Sequence, residues 1–157
     1  MNEYAEIEQA SPEDLDTIKA LLHAASLPTG GVEDQFPEAF VVVVQNDVVV
    51  GAGALERYGD VGLLRSVVIA RTQTRRGLGT QLVRHLLRRA AEQHLEQVVL
   101  LTVTAFGFFE RLGFVPASRD EAPEAVQVSP EFASICPASA AYLVWSPGTS
   151  AAPGVPG

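Results

Sequence analysis

The sequence predicts an α/β chain with a mixed, mainly antiparallel sheet flanked by helices, and three features carry that prediction. Phe40 to Gln45 and Val48 to Leu55 are β-branched runs joined by Asn46-Asp47, a two-residue turn signal, so they read as an antiparallel hairpin. Gly77 to His94 carries Leu78, Leu82, Leu86, Leu87 and Ala90 on one stripe at helical spacing, with arginines and glutamines opposite. That helix stands between two apolar runs, Val61 to Ile69 and Gln97 to Thr102, and a strand, helix, strand order favours parallel pairing through a right-handed crossover.

Taken in order, Tyr4 to Gln9 alternates polar and apolar residues, which suits a short edge strand. Ser11-Pro12-Glu13-Asp14 reads as an N-cap, a proline at the first helical position and an acidic first turn. The helix behind it has Leu15, Ile18, Leu21 and Leu22 on one face and ends before Pro28 and Gly30-Gly31. The hairpin follows, and Tyr58-Gly59-Asp60 turns the chain into the strand Val61 to Ile69, completing a meander. After the long helix and its parallel strand, Ala105 to Arg111 is a short helix stopped at Gly113, with a strand near Phe114 to Ala117. Asp120 to Pro137 is rich in Pro and Glu and is expected to be irregular, whereas Ala140 to Ser146 makes a last strand. One domain over residues 1–146 is expected, with a disordered tail of Pro, Gly, Ser and Ala over residues 147–157.

Composition narrows the function. With 47% apolar and 19% charged residues the chain can bury a core large enough to offset its ordering entropy. A net charge of −8 repels a phosphate backbone over much of the surface, which argues against nucleic acid, so an anionic ligand must meet a local basic patch. No long apolar span and no basic leader are present, so a cytoplasmic protein without a membrane partner is expected. The single cysteine, Cys136, cannot make an internal disulfide or by itself a thiolate zinc site, and His23, His85 and His94 are too dispersed for a metal; none is expected.

The run Thr74-Arg75-Arg76-Gly77-Leu78-Gly79-Thr80 lies between a strand and the amphipathic helix. Glycines admit a ligand close to the backbone, and the N–H groups that open a helix carry partial positive charge, so the run is a candidate anion site suited to a pyrophosphate. Arg75 and Arg76 add the charge that an acidic chain otherwise lacks there.

In that context Gly77 and Gly79 resemble the acetyl-coenzyme A signature of the GCN5-related N-acetyltransferase (GNAT) superfamily, Gln/Arg-x-x-Gly-x-Gly/Ala after a bulged strand. The resemblance continues through Leu64-Arg65-Ser66-Val67-Val68-Ile69 and Phe108-Phe109-Glu110-Arg111-Leu112-Gly113-Phe114, covering most of Ala5 to Trp145. It implies acetyl-coenzyme A as co-substrate, bound by Val67, Val68, Ile69, Arg75, Arg76, Gly77, Leu78, Gly79, Thr80 and Phe109, on a strand that splays from Gln97 to Thr102. It also implies that the backbone at Val67 holds the thioester oxygen, and a homodimer is in keeping with small members of the superfamily. Leu64 to Val67, Leu100 to Ala105 and Phe132 to Ala140 further resemble small N-acetyltransferases associated with arsenic-resistance operons, which are similar to short N-acetylglutamate synthases.

The chain departs from the superfamily pattern in three places. Thr74 replaces the usual Gln or Arg, Leu63 stands where many relatives carry a glutamate base, and Phe109 replaces the tyrosine that commonly protonates the leaving thiolate. General-base help is worth about 10²–10⁴-fold, so Glu56, acting through water, is the candidate base. Arg65, a lone arginine in an apolar strand, is either a clamp for an acceptor carboxylate or a surface residue at the sheet edge. Thr102 and Thr104 could position the small amine acceptor, and both are also ordinary strand residues.

Overall fold

The computed structural model of the chain describes residues 5–72, 77–135 and 139–147. Seven strands hydrogen-bond in the order β1-β2-β3-β4-β5-β7-β6: β1 (Ala5–Gln9), β2 (Phe40–Gln45), β3 (Val48–Tyr58), β4 (Val61–Ile69), β5 (Gln97–Thr102), β6 (Val115–Ala117) and β7 (Ala141–Trp145). Contacts divide the chain into two compact units, Met1–Glu56 with Arg65–Leu86 and Arg57–Leu64 with Leu87–Gly157.

In the first unit Asn46 and Asp47 take φ of 54° and 64°, the left-handed pair that a tight hairpin turn requires, and β2 pairs β3 from Phe40↔Ala54 to Gln45↔Val48. β1 adds to the far side of β2, from Ala5↔Gln45 to Gln9↔Val41. The proline expected to open a helix instead opens a 3-10 turn, Pro12–Asp14, that runs into α1 (Leu15–Ala24). Its entry is fixed by the Ser11 N–H, which donates to Asp14 Oδ2 at 2.9 Å. The exit is set by Ser26 at φ 59° and by a Leu27 N–H bond to Leu22 O at 2.9 Å. Ile18 and Leu22 of α1 pack on Phe40, Val42, Ala52, Ala54 and Val68 of the strands, all buried in one apolar cluster. Burying such side chains is the main force holding the helix to the sheet, at about 1.5–3 kcal/mol for each large one.

The long helix, α2 (Leu78–Glu92), begins and ends within two residues of its expected bounds. Gly53 is where it rests: a Cβ there would lie 3.2 Å from Leu86 Cδ1 and 3.3 Å from Leu82 Cδ2, so a glycine lets helix and strand approach.

In the second unit β4 and β5 pair in parallel, Val61↔Gln97 to Leu63↔Val99, as the crossover predicted. α3 (Phe106–Arg111) ends before Gly113, at φ 103°, and β6 follows. β7 inserts between β5 and β6 and is antiparallel to both, Val98↔Trp145 to Thr102↔Ala141 and Val115↔Val144 to Ala117↔Tyr142. The expectation of an irregular segment over Asp120 to Pro137 is corrected in its described part. It holds a 3-10 turn (Arg119–Glu121), α4 (Glu124–Gln127) and a π-helical turn (Glu131–Ile135). Burial orders it, because Ala122, Val126 and Phe132 join Leu63, Val99, Leu101 and Tyr142 in an apolar cluster. Polar bonds then complete it: Arg119 Nη2 donates to Phe132 O at 3.2 Å, and the Phe132 N–H donates to Ser129 Oγ at 3.3 Å. The tail expected from Pro147 lies, from residue 148 on, outside the described residues.

Candidate functional site

Strand β4 does not run as a regular strand. Ser66 takes φ 58°, a left-handed conformation that a residue with a Cβ adopts at a cost of about 1–3 kcal/mol and that persists only where its surroundings enforce it. No local feature of residues 64–69 marks Ser66 for it. Successive side chains of a strand point to opposite faces, yet the twist at Ser66 swings its hydroxyl back to Arg65, whose Nε donates to Ser66 Oγ at 3.2 Å. Arg65 Nη2 donates to the carbonyl of Gly30, in the segment after α1, at 2.7 Å. Its Nη1 faces Glu56 Oε2 at 3.7 Å, outside hydrogen-bond range but a close ion pair, and the two side chains are 1% and 0% exposed.

Two expectations change here. Arg65 is not a surface residue at the sheet edge, since β4 lies between β3 and β5 and the side chain is buried. The clamp reading fits no better: a guanidinium that is 1% exposed and already bound to Gly30 O and Ser66 Oγ presents almost no surface to an acceptor. Glu56 stands near the end of β3, which runs to Tyr58, and its carboxylate is fully buried and turned to Arg65. A base that works through water needs water beside it, and this carboxylate has no solvent exposure.

Beyond Ser66 come Val67, half-buried, Val68, buried, and Ile69, half-buried. Gly51 of β3 makes room for them. A Cβ there would fall 2.6 Å from Ile69 Cδ1 and 2.9 Å from Val68 O, the second a backbone atom with little freedom to yield.

Gly77 opens α2. It takes φ 71°, and its carbonyl accepts the helix bond from the Gln81 N–H at 3.2 Å. The N–H groups of Leu78, Gly79 and Thr80 therefore precede the first turn's bonds and point out of the helix end, where the helix dipole favours an anion. A Cβ at Gly77 would meet no described atom within 4 Å, so no described residue crowds the position that opens the helix. These features fit a diphosphate. Arg75 and Arg76, and Thr74 before them, lie outside the described residues.

The remaining candidates belong to the second unit. Thr102 ends β5, and its Oγ1 accepts from the Ala105 N–H at 3.0 Å, which caps the turn into α3. Thr104 is exposed two residues on. Phe109 is 7% exposed and stacks edge-on with Phe108 and Phe114, at centroid separations of 5.0 and 5.6 Å, so its described role is packing. Cys136 lies outside the described residues, and among the described ones no group of three or more His, Cys, Asp or Glu could hold a metal.

An antiparallel meander continued by one parallel strand, with a glycine-led helix between them, is the architecture of the N-acetyltransferase class. The sequence profile of the Acetyltransferase (GNAT) family matches residues 2–114, and the chain belongs to that family, whose co-substrate is acetyl-coenzyme A. N-acetylglutamate synthase from Neisseria gonorrhoeae, complexed with coenzyme A and N-acetyl-glutamate, is similar in structure. Its TM-score is 0.78 at 20% identity, over 93% of this chain and 36% of that one. A second structure of that synthase, with coenzyme A and L-arginine, is matched over 34% of its length, so this chain spans about a third of the synthase chains. Rv2747 from Mycobacterium tuberculosis, in complex with CoA, gives a TM-score of 0.75 at 23% identity over 90% of this chain and 98% of that one. The ribosomal-protein-S18-alanine N-acetyltransferase from Escherichia coli gives 0.72 at 16% identity over 94% and 96%. These identities show a shared fold. Comparison with curated protein sequences gives no match.

Proposed function

We propose that this chain transfers the acetyl group of acetyl-coenzyme A to the primary amine of a small amino-acid-like acceptor. The observation that carries the reading is the N-terminus of α2, where Gly77 at φ 71° opens the helix and the amides of Leu78, Gly79 and Thr80 precede its first backbone bond. Leu78, Gly79 and Thr80 would hold the diphosphate through those amides, Arg75 and Arg76 would add charge, and Val67 to Ile69 would bond the pantetheine arm. Acetyl-coenzyme A supplies an acetyl thioester. The chain's part is to hold it, with the Val67 N–H on the thioester oxygen, where charge develops as the acceptor nitrogen bonds to carbon. With Glu56 turned to Arg65, proximity and that donor would supply most of the rate; the C–S bond would break with coenzyme A leaving as its thiolate, and solvent would take the amine proton.

Thr102 and Thr104 are the proposed acceptor contacts; Thr104 is exposed, while the hydroxyl of Thr102 already accepts a backbone bond. A small amino-acid acceptor is supported by the similarity to an N-acetylglutamate synthase fold, and a link to arsenic resistance rests on the sequence resemblance alone. Homodimer formation is proposed from the superfamily resemblance and a cytoplasmic setting from the sequence; no helix among the described residues is long and apolar enough to cross a membrane.

A second reading, a non-catalytic module that binds or senses acetyl-coenzyme A, is favoured by Leu63 and Phe109. Both are buried, and neither offers a proton acceptor or donor where the superfamily commonly has one. Acetylation of a protein or peptide amine is a third, in keeping with the ribosomal-protein enzyme among the similar folds. Calorimetry with coenzyme A and thiol release across a panel of free amino acids and short peptides separate the three. Turnover on a free amino acid supports the first, binding without turnover on any acceptor the second, and turnover on peptides alone the third. Absence of any heat from coenzyme A overturns all of them.

A further inference from the structure

We infer that Arg65, backed by Glu56, is a positioning residue for the acetyl-coenzyme A strand: it holds Ser66 in its left-handed conformation and so aims Val67 to Ile69. The inference rests on the proposed binding of the acyl carrier along those three residues.

The geometry runs in one direction. A serine at φ 58° in mid-strand is strained, and the strain must be offset by something that the turned side chain reaches. What it reaches is the Arg65 Nε at 3.2 Å, a contact that a regular strand, with Arg65 and Ser66 on opposite faces, could not make. The guanidinium is itself fixed from two further sides, by the Gly30 carbonyl at 2.7 Å and by the Glu56 carboxylate at 3.7 Å, with 1% of the side chain exposed. A planar fork held at three points cannot swing, and a lysine ammonium on a flexible stem cannot reproduce those directions. The neighbouring strand is shaped to the same path, because Gly51 leaves room for Val68 O and Ile69 Cδ1 where any side chain would collide. Arg65 thus acts on the cofactor through the backbone that follows it and makes no contact with the acceptor.

The test separates this role from an acceptor clamp. Arg65→Lys, with circular dichroism confirming the fold, is expected to weaken coenzyme A binding by about tenfold, the scale of one strained residue released, and to raise the KM for acetyl-coenzyme A while leaving that for the acceptor unchanged. Adding Ser66→Gly to that variant should recover much of the lost affinity, since glycine takes positive φ unaided; a merely destabilising change would gain nothing from a second substitution there. Should Arg65→Lys fail to fold, Ser66→Val tests the same claim with Arg65 and Glu56 intact. A β-branched residue resists φ 58°, so coenzyme A affinity should again fall about tenfold. The inference is overturned if the wild type binds coenzyme A and either Arg65→Lys or Ser66→Val binds it within twofold as tightly, and equally if Arg65→Lys raises only the acceptor KM. If the wild type itself gives no heat with coenzyme A, the proposed function fails first and the inference goes with it.

Discussion

At Glu56 and Arg65 two opposite charges have been taken wholly out of water, and the energetics of such a pair are asymmetric. Attraction and desolvation nearly cancel while both partners are present, whereas removing one strands the other. Glu56→Leu is therefore expected to lower unfolding stability by about 3–5 kcal/mol, and the double change Glu56→Leu with Arg65→Met by clearly less, as read from urea denaturation midpoints. Tyr142 gives a pH-dependent counterpart. Burial, reinforced by the negative field of Glu121, pushes its phenol up to about 12. The folded state then holds that proton more tightly than the unfolded chain, so the stabilisation is complete below about pH 10 and is lost as the pH rises toward about 12. Unfolding stability of the wild type should fall faster between those limits than that of Tyr142→Phe, and parallel pH profiles would contradict this assignment.

Elements place these residues, and at two points a glycine decides whether they can. Gly51→Ala puts a Cβ 2.9 Å from the Val68 carbonyl, and overpacking of this kind is expected to destabilise by about 1–3 kcal/mol and to displace the strand carrying Val67 to Ile69. Lowered stability together with weaker coenzyme A binding is the expected pair of readings. Gly77→Asp is the complementary case. No described atom is near enough to clash, but a carboxylate would stand before the amides of α2 and repel a diphosphate. The fold should survive with coenzyme A heat abolished, and unchanged affinity would place the diphosphate elsewhere. α1 shows a weaker kind of tie: the Lys19 ammonium pairs with Glu33 at the surface and holds that carboxyl below its ordinary range. Because its folded pKa is lowered, the contribution is present above the ordinary carboxylate range and fades as the pH falls; screening by solvent keeps it small.

For the whole molecule, a ligand that binds only the folded chain must raise its unfolding temperature. Coenzyme A at about 100 times its dissociation constant should add about 2.7 kcal/mol, a rise in Tm of about 5–10 °C for a chain of this size, and Gly77→Asp should show none. The periodicity of apolar residues was enough to fix strands β2, β4 and β5 to the residue, and the extent of α2 to within two, because amphipathic spacing is a property of consecutive residues. The glycine-led start of α2 was equally legible, since turn chemistry and helix ends are local. Other features required contacts between residues far apart in the chain. Nothing local marks Ser66 for φ 58°, and the order within residues 119–135 comes from burying Val126 and Phe132 against the strands, which overrides a Pro- and Glu-rich composition. Glu56 read as a base reached through water, and Arg65 as either an acceptor clamp or an edge arginine; that both are buried together follows from the strands on both sides of β4. The sequence by itself determined most of the elements and the family, and pointed to the start of α2 for the proposed diphosphate site, because each is written in runs of neighbouring residues. Only the tertiary structure decided that Arg65 and Glu56 face one another inside the protein, because burial is a property of the packed chain.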